Sequence, residues 1–506
     1  MFLRIRKRFT TPISHRLAQN FTEFHRFFLC FFCVILWLSF FACACASASG
    51  QEASVRALPS NEVKELTLQE SIDMALAENL GVKTAEEKVE TAKQKVSEAR
   101  AAFMPVLSAN GSYTYMGEIP TIEMEFDPAM LGIPPEMMQM MGGDAEAMGG
   151  DGPTEIEMGF EDTYQAGLSI QQPVFTWGKI YNNYKQAKLS LEASRQELEG
   201  VKQKTILDVT TSFYSVLLTE RLVKVAEMAV DQVQAHVKIA QDLVDAGMAT
   251  NFDLLRAKVQ LANIRSQLIR AKNGLKLSKD SFKNTIGMNL DSQINVRGEL
   301  VYQPLELELD RLIDSAMVNR PEIKQLQFQE QVGERFVSIA KAGNKPNISL
   351  IGNYSYSYEL KPDEELDIFN TDEWKNLWSV TLALQIPIFD GLATRARVKQ
   401  AKSGLRQLQI GMGQLKDGIG LEVRAAFFGF QESEELLKAQ EETVQQAEES
   451  LRIANLRYQN GMITNVELMD AELAFTQAQT NQFNALHDYI IAVAKLEKAT
   501  ASKLMK

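Results

Sequence analysis

The sequence predicts a mostly α-helical protein with membrane-type β-strands, the whole arrangement built twice along the chain. Three observations carry this. Two tracts without proline, 174–303 and 388–506, hold apolar residues at steps of three and four. The two halves of the chain align with each other at constant offsets. Four short segments alternate apolar and polar residues with a period of two. Proline removes a helix donor and crowds the preceding turn, so long helices are expected where it is absent. A period of two belongs to strands.

The chain has 506 residues and a formal charge of −12, with 45% hydrophobic and 23% charged side chains. An acidic balance excludes the basic footprint of a nucleic-acid binder. The front reads as a targeting segment. Arg4, Arg6, Lys7, Arg8, Arg16 and Arg26 precede an apolar core from Phe27 to about Ala42, and Ala46-Ser47-Ala48 supplies small residues for cleavage after Ala48. A lipoprotein signal acylated on Cys43 or Cys45 is the rival, although Phe40 stands where Leu is usual. All four cysteines, Cys30, Cys33, Cys43 and Cys45, lie in this 1–48 segment. The remaining chain therefore carries −17 and has no thiol for a disulfide, a metal or nucleophilic catalysis.

After a 49–61 linker, the first repeat is expected over 62–287. A helix leads to strands at 106–116 and 163–173, then to a helix over 178–246 and a returning helix after a tight turn at 247–251. In the first strand Leu107, Ala109, Tyr113 and Tyr115 share one face; in the second, Tyr164, Ala166, Leu168 and Ile170 do. The long helix presents Ile206, Val209, Phe213 and Val216, then Val230, Val233, Val237, Ala240 and Val244. Its return presents Leu254, Ala257, Leu261, Ile264, Leu268, Ala271 and Leu275. So narrow a seam is coiled-coil-like, and Glu220 and Glu227 interrupt it.

A linker at 288–306 leads to the second repeat, 307–501, followed by a 502–506 tail. Here strands are expected at 347–358 and 378–387 and a turn at 461–465. Pro173 matches Pro387, Phe213 matches Phe427, and the run from Gly247 matches that from Gly461, all at an offset of 214. Earlier positions match at 241, as Pro105 does Pro346. The difference is an insertion at 116–162, which contains twelve acidic residues, no Lys or Arg, and nine methionines. Its Glu136-Met137-Met138-Gln139-Met140-Met141 run suits Cu(I) by ligand softness, but a loop on the outer face is the simpler reading. The 359–376 loop is acidic too, and Trp374 and Trp378 fit an interfacial belt. Gly404, Gly411, Gly413, Gly418 and Gly420 crowd the second long helix without an evident reason. About ten residues of alternation per strand is the length of an outer-membrane strand. Four strands cannot close a barrel, and lipid does not tolerate open edges, so several chains must share one: two give eight strands, three give twelve.

These repeats, strand pairs and turn motifs resemble the TolC-like outer-membrane factor family over essentially all of 62–501. The resemblance implies a homotrimer in the outer membrane, its twelve-stranded β-barrel continued by a duplicated coiled-coil helical barrel into the periplasm. It also implies a passive export duct of a tripartite efflux or type I secretion system. The expected partners are outer-membrane lipid, a periplasmic adaptor (membrane fusion protein) and an inner-membrane pump of RND, ABC or MFS type. A non-conducting periplasm-spanning scaffold, or an adaptor-type protein, is the alternative. The cargo is not readable.

The tips are the expected sites. Gly247 and Gly461 suit left-handed C-caps, and Thr250, Asn251, Thr464 and Asn465 suit N-caps. In the resembling family these tips meet the adaptor, for which Met248 and Met462 are suited. Asp253, Glu467 and Asp470 complement the helix dipole; the resemblance makes Glu467 and Asp470 rings that narrow the entrance. Ile463 stands where that family places a gate-locking Arg, while Tyr458 is retained, and Arg256 is a candidate alternative partner for Asp253. No cofactor, metal site or enzyme activity is expected: His236 and His487, the only histidines beyond the leader, read as surface or seam residues.

Overall fold

The computed structural model describes residues 64–117, 119, 121–124, 154–157, 160, 162–360 and 374–504. The expected leader, the 49–61 linker, the Glu136–Met141 run with most of its insertion, and most of the 359–376 loop lie outside these residues. The first half runs β1 (Lys64–Leu66), α1 (Leu68–Glu78), α2 (Leu80–Ala101), β2 (Val106–Tyr115), β3 (Thr121–Met124) and β4 (Thr154–Glu157). It continues with β5 (Asp162–Phe175), α3 (Lys179–Asp245) and α4 (Asn251–Thr285). The second half runs β6 (Ile294–Val296), α5 (Leu309–Asn319), α6 (Pro321–Lys341), β7 (Asn347–Leu360), β8 (Lys375–Gln385), α7 (Ala393–Gln459) and α8 (Asn465–Thr500).

The chain divides into two compact units. One contains the strands β2, β5, β7 and β8 in a single sheet of that order. Leu107 sits opposite Ile170, Ala109 opposite Leu168 and Tyr113 opposite Tyr164. The polar positions meet on the other face, where the Ser108 and Ser169 hydroxyls are 2.6 Å apart. Along most of its length the apolar face is open: Leu107, Ile170, Leu350, Trp378, Val380 and Leu382 are all exposed, whereas Tyr164 and Tyr358 at one end are buried. At one end of this sheet Tyr113, Tyr164, Tyr358 and Trp374 form a chain of aromatic contacts with centroids 5.0 to 6.4 Å apart. The insertion contributes something the sequence did not suggest, an antiparallel ribbon in which Thr121 faces Glu157 and Met124 faces Thr154.

The other unit is helical, and its two long helices, α3 and α7, have 67 residues each. At about 1.5 Å per residue each spans roughly 100 Å. α4 folds back along α3 and α8 along α7. The polar interruptions of the first seam turn out to be bridges: Glu220 lies 3.0 Å from Lys279 and Glu227 lies 2.9 Å from Lys272, both across the hairpin. Each repeat has its own core. Phe213, Phe282, Val209 and Val216 pack with Leu66 and Ile294 in the first. Phe427, Phe430, Tyr489 and Ile323 pack with Leu312 in the second.

Two expectations need correction. A single helix before each first strand is in fact two. Asn79 leaves the helical path at ψ 128° and accepts from the Gly81 and Val82 amides, capping α2, while its Nδ2 donates to the Thr285 carbonyl. Arg320 breaks the second repeat at the same place because a residue before proline is crowded out of the helical region. The 288–306 stretch is not a bare linker either: its Ile294–Val296 pairs in parallel with β1. The glycines of α7 leave the helix uninterrupted. A Cβ at Gly404, Gly411, Gly413 or Gly418 would meet nothing within 4 Å, so nothing in the chain itself explains them.

The two returning helices end alike but with different residues. Gly287 takes φ 77° after α4, and Ala501, its equivalent, takes φ 50° after α8. The left-handed region costs a residue with a Cβ about 1–2 kcal/mol. Ala501→Gly is therefore expected to stabilise the end of α8 by about 1 kcal/mol, measurable as slower amide exchange there.

Candidate functional site at the hairpin tips

Both tips are built by the same backbone device. After α3, the Gly247 amide donates to the Val244 carbonyl (2.9 Å) and the Met248 amide to the Leu243 carbonyl (2.8 Å). After α7, the Gly461 and Met462 amides donate to Tyr458 and Arg457 at 2.9 Å each. This double closure needs a left-handed residue, and Gly247 (φ 75°) and Gly461 (φ 66°) supply it without strain. Three residues later each return helix begins with a capping box. The Asp253 amide donates to Thr250 Oγ1 at 3.2 Å, and the Thr250 amide and hydroxyl donate to Asp253 Oδ2 at 3.2 and 2.6 Å. Thr464 and Glu467 repeat the motif at 3.3, 2.7 and 2.9 Å. Removing either threonine hydroxyl costs about 1 kcal/mol on that basis.

The capping boxes fix what the acids do. The bonds from the Thr464 backbone and hydroxyl, with help from the nearby Arg457 charge, hold the Glu467 carboxyl below its ordinary range. Asp253 is turned back onto Thr250, and it forms no ion pair with Arg256 among the described residues. The pairing suggested by their spacing is thus not made: the helix N-terminus takes the carboxylate instead. Asp470 is exposed, and so are Met248 and Met462. Asn251 is exposed at the first tip, whereas its counterpart Asn465 is buried.

That difference leads to the feature the sequence reading missed. Within one chain the two hairpins meet through a polar seam. Asn465 Nδ2 donates to the Asp253 carbonyl at 3.0 Å, joining the second tip to the first. Higher up, His236 Nδ1 of α3 lies 3.4 Å from Glu472 Oε2 of α8, and both side chains are almost wholly buried (2% and 4% exposed). The Tyr458 ring of α7 meets the His236 ring edge-on at 5.2 Å. Burial, and then the Asp253 and Glu472 charges, push the Tyr458 phenol up from its usual range. Ile239 and Leu243 of α3 complete the apolar layer of the second tip, against Leu451, Ala454, Tyr458 and Leu468; Ile463 joins this layer. His487, the other histidine, lies 3.1 Å from Asp488 and 3.4 Å from the Ser215 hydroxyl. Among the described residues no cluster of three or more acidic, His or Cys side chains is arranged for a metal. Nor is any described helix long and apolar enough to cross a membrane.

Comparison with known proteins agrees with this architecture. The outer membrane efflux protein family matches residues 71–287 and 312–502, the two repeats without the stretch between them. The chain is 21% identical to "Outer membrane protein TolC" of Vibrio cholerae over 344 residues, 67% of this chain and 76% of that protein. It is 22% identical to "Probable outer membrane lipoprotein SilC" of Salmonella typhimurium, across 81% of this chain and 80% of that one. Among solved structures, CusC superposes with a TM-score of 0.68 at 17% identity, covering 90% of this chain and 96% of that one. VceC of Vibrio cholerae superposes with a TM-score of 0.65, also at 17% identity, covering 87% of this chain and 97% of that chain.

Proposed function

The chain belongs to the outer membrane efflux protein family, and from that premise we propose that three copies close one twelve-stranded barrel. The assembly acts as a passive export duct of a tripartite efflux or type I secretion system. One observation carries the reading: among the described residues the four-stranded sheet leaves most of its apolar face bare and the outer edges of β2 and β8 without a neighbouring strand. In water such a face becomes a core and such edges invite aggregation; in lipid the face is solvated and only closure satisfies the edges. Trp378, exposed on this face, suits the level of the lipid headgroups. The family and the relatives' names support an adaptor and an inner-membrane pump as partners. The tips, with Met248, Phe252 and Met462 exposed, are the surface offered to the adaptor. Energy and cargo choice then belong to the partners.

Planar-bilayer recordings of the purified full chain test this. A stable trimer without conductance would overturn the duct. The same recordings address the charged rings. Glu467→Gln keeps the capping box, which accepts Gln as well as Glu, and removes the charge; Asp470→Asn removes the second ring. Together they are expected to bring the cation-to-anion permeability ratio down toward one. An unaltered ratio would remove these acids from the gate.

A further inference from the structure

The chain passes between the helical unit and the four strands at four places, and the segments on the helical side are strongly basic. Residues 99–104, 173–191, 336–348 and 384–402 together hold ten Lys and Arg residues and one acid, Asp390. That acid is already engaged, since its Oδ2 accepts from the Thr394 amide at 2.8 Å where α7 begins. Nine of the ten cations are exposed and Lys185 is half-buried. Among the described residues none of the ten forms an ion pair. The other ends of the first two strands are the reverse, for 116–162 holds twelve acids and no base.

The four segments lie side by side. Phe103, after α2, meets the Tyr184 ring of α3 edge-on at 5.9 Å. Lys345, before β7, stands 5.8 Å over the ring of Trp177, before α3. A Cβ at Gly343 would come 3.1 Å from Thr394 Oγ1, so the end of α6 adjoins the start of α7. Aromatic rings are interleaved with the cations: Lys188 lies 4.8 Å over Tyr184 and Lys185 5.5 Å over Tyr181. The bond from Lys188, its charge, and then the Arg100 and Lys185 charges hold the Tyr184 phenol below its usual range. Phe175, Ile388 and Phe389 are exposed beside them. Both repeats turn here through two left-handed residues, Trp177-Gly178 and Gly391-Leu392, and the bulky member of each pair is exposed. A side chain disfavours that backbone, yet in each repeat it is held there with its apolar surface open.

We infer that this basic, aromatic collar binds the phosphates of anionic phospholipids in the leaflet that faces the helical unit. The inference rests on the reading of the four strands as membrane strands. Lys345 stands two residues before β7 and Lys179 four after β5. A chain reaches at most about 3.5 Å per residue, so Lys179 stays within about 14 Å of a strand end. That holds the collar at headgroup level once the strands lie in lipid. Acyl chains then cover the bare strand face, the rings sit at the boundary, and the lysine stems carry their ammonium groups out to the phosphates. Charge selects the lipid. A zwitterionic headgroup brings its own cation, whereas an anionic one neutralises a collar that has no carboxylates of its own. Continuity of the exposed apolar residues with the strands favours lipid over an acidic protein.

Lipid retention by the purified full chain tests this. The protein, in neutral detergent, receives equal amounts of phosphatidylglycerol and phosphatidylcholine with the same acyl chains, and the lipid that stays bound through gel filtration is weighed by mass spectrometry. Each cation at an anionic surface is worth roughly fivefold in affinity, so phosphatidylglycerol should be retained at least about tenfold over phosphatidylcholine. The preference should shrink with added salt. Lys188→Gln, Lys345→Gln and Lys399→Gln together should bring the ratio to about twofold or less, while Lys→Arg at the same three positions keeps it. All three side chains are exposed, so the melting temperature in detergent should not move. Equal retention of the two lipids by the parent, or an undiminished preference in the Gln variant, would overturn the collar. So would displacement of the lipid by inorganic phosphate at an ionic strength where chloride leaves it bound, which would mark a site for a free anion. A Gln variant that alters ion selectivity in planar bilayers but not lipid retention would place these cations along the pore and overturn it too. In each case a parent that still conducts leaves the duct standing, whereas a parent that does not conduct removes the duct whatever lipid it holds.

Discussion

Glu422→Ala is expected to cost about 1–3 kcal/mol where the end of α8 docks, because it leaves the buried Arg320 guanidinium with only the longer Glu322 contact as counter-charge. Arg320 is 3% exposed, and its guanidinium lies 2.7 Å from Glu422 and 3.5 Å from Glu322. Its Nε donates at 2.8 Å to the carbonyl of Ala499, one of the free carbonyls at the end of α8. Glu422 also holds Lys498 at 2.9 Å. Burial works against ionising Glu422, but Arg320 and Lys498 outweigh it, and the carboxyl sits below its ordinary range. A depressed carboxylate stabilises the fold fully above its unfolded value, so this contribution persists at neutral pH. It is lost as pH falls from about 4.5 through the lower folded value. Arg320→Met should cost less, since Glu422 is partly exposed and keeps Lys498. Combining Arg320→Met with Glu422→Leu should recover most of the loss, because the charges left behind, Lys498 and Glu322, both reach water. Amide exchange over 489–500 reads all three; equal protection in Glu422→Ala and the unsubstituted chain would show that the network holds nothing.

The parts of this fold legible in the sequence are those whose signal is local and repeated. Alternation placed β2 and β7 to within a few residues, and Gly followed three residues later by Thr marked both tips, because Schellman closure and capping boxes are short-range geometry. The break at Arg320 had a local signal in Pro321 that the expectation of a single helix passed over, and the matching break at Asn79 carried only an Asn-Leu-Gly sequence that a helix could also have accepted. What was hidden depends on residues far apart. β1 and β6 are three residues each and pair across some 230 positions. The β3–β4 ribbon is too short for a period to show. Asp253 and Arg256 have helical spacing for an ion pair, but the capping box competes for the same carboxylate and wins. His236 and Glu472 each look like a polar flaw in an apolar seam, and only their meeting across 236 positions makes sense of both.

That pair supports the last expectation. His236→Leu leaves the Glu472 carboxyl buried without its imidazole, and Glu472→Leu leaves the imidazole without its carboxyl. Each single change is expected to weaken the seam between the hairpins by about 1–3 kcal/mol, the cost of leaving a buried polar group without its partner. The double change puts apolar groups of similar size on both sides, next to Tyr458, Ile239 and Leu243, and should restore most of what either one loses. The comparison separates a held seam from mere packing, because packing losses would add in the double variant rather than cancel. Amide exchange over 232–243 and 465–476 measures the seam, and planar-bilayer conductance measures its consequence. If the seam closes the duct, each single variant conducts more than the parent and the double variant returns toward it. Faster exchange with unaltered conductance would make the pair an anchor of the protomer and not a part of the gate. Lys258→Leu supplies the contrast: it occupies the equivalent place on the first hairpin, but no second hairpin of its own chain covers it. It should leave exchange within the chain unaltered, so any effect it has must come through a neighbouring copy.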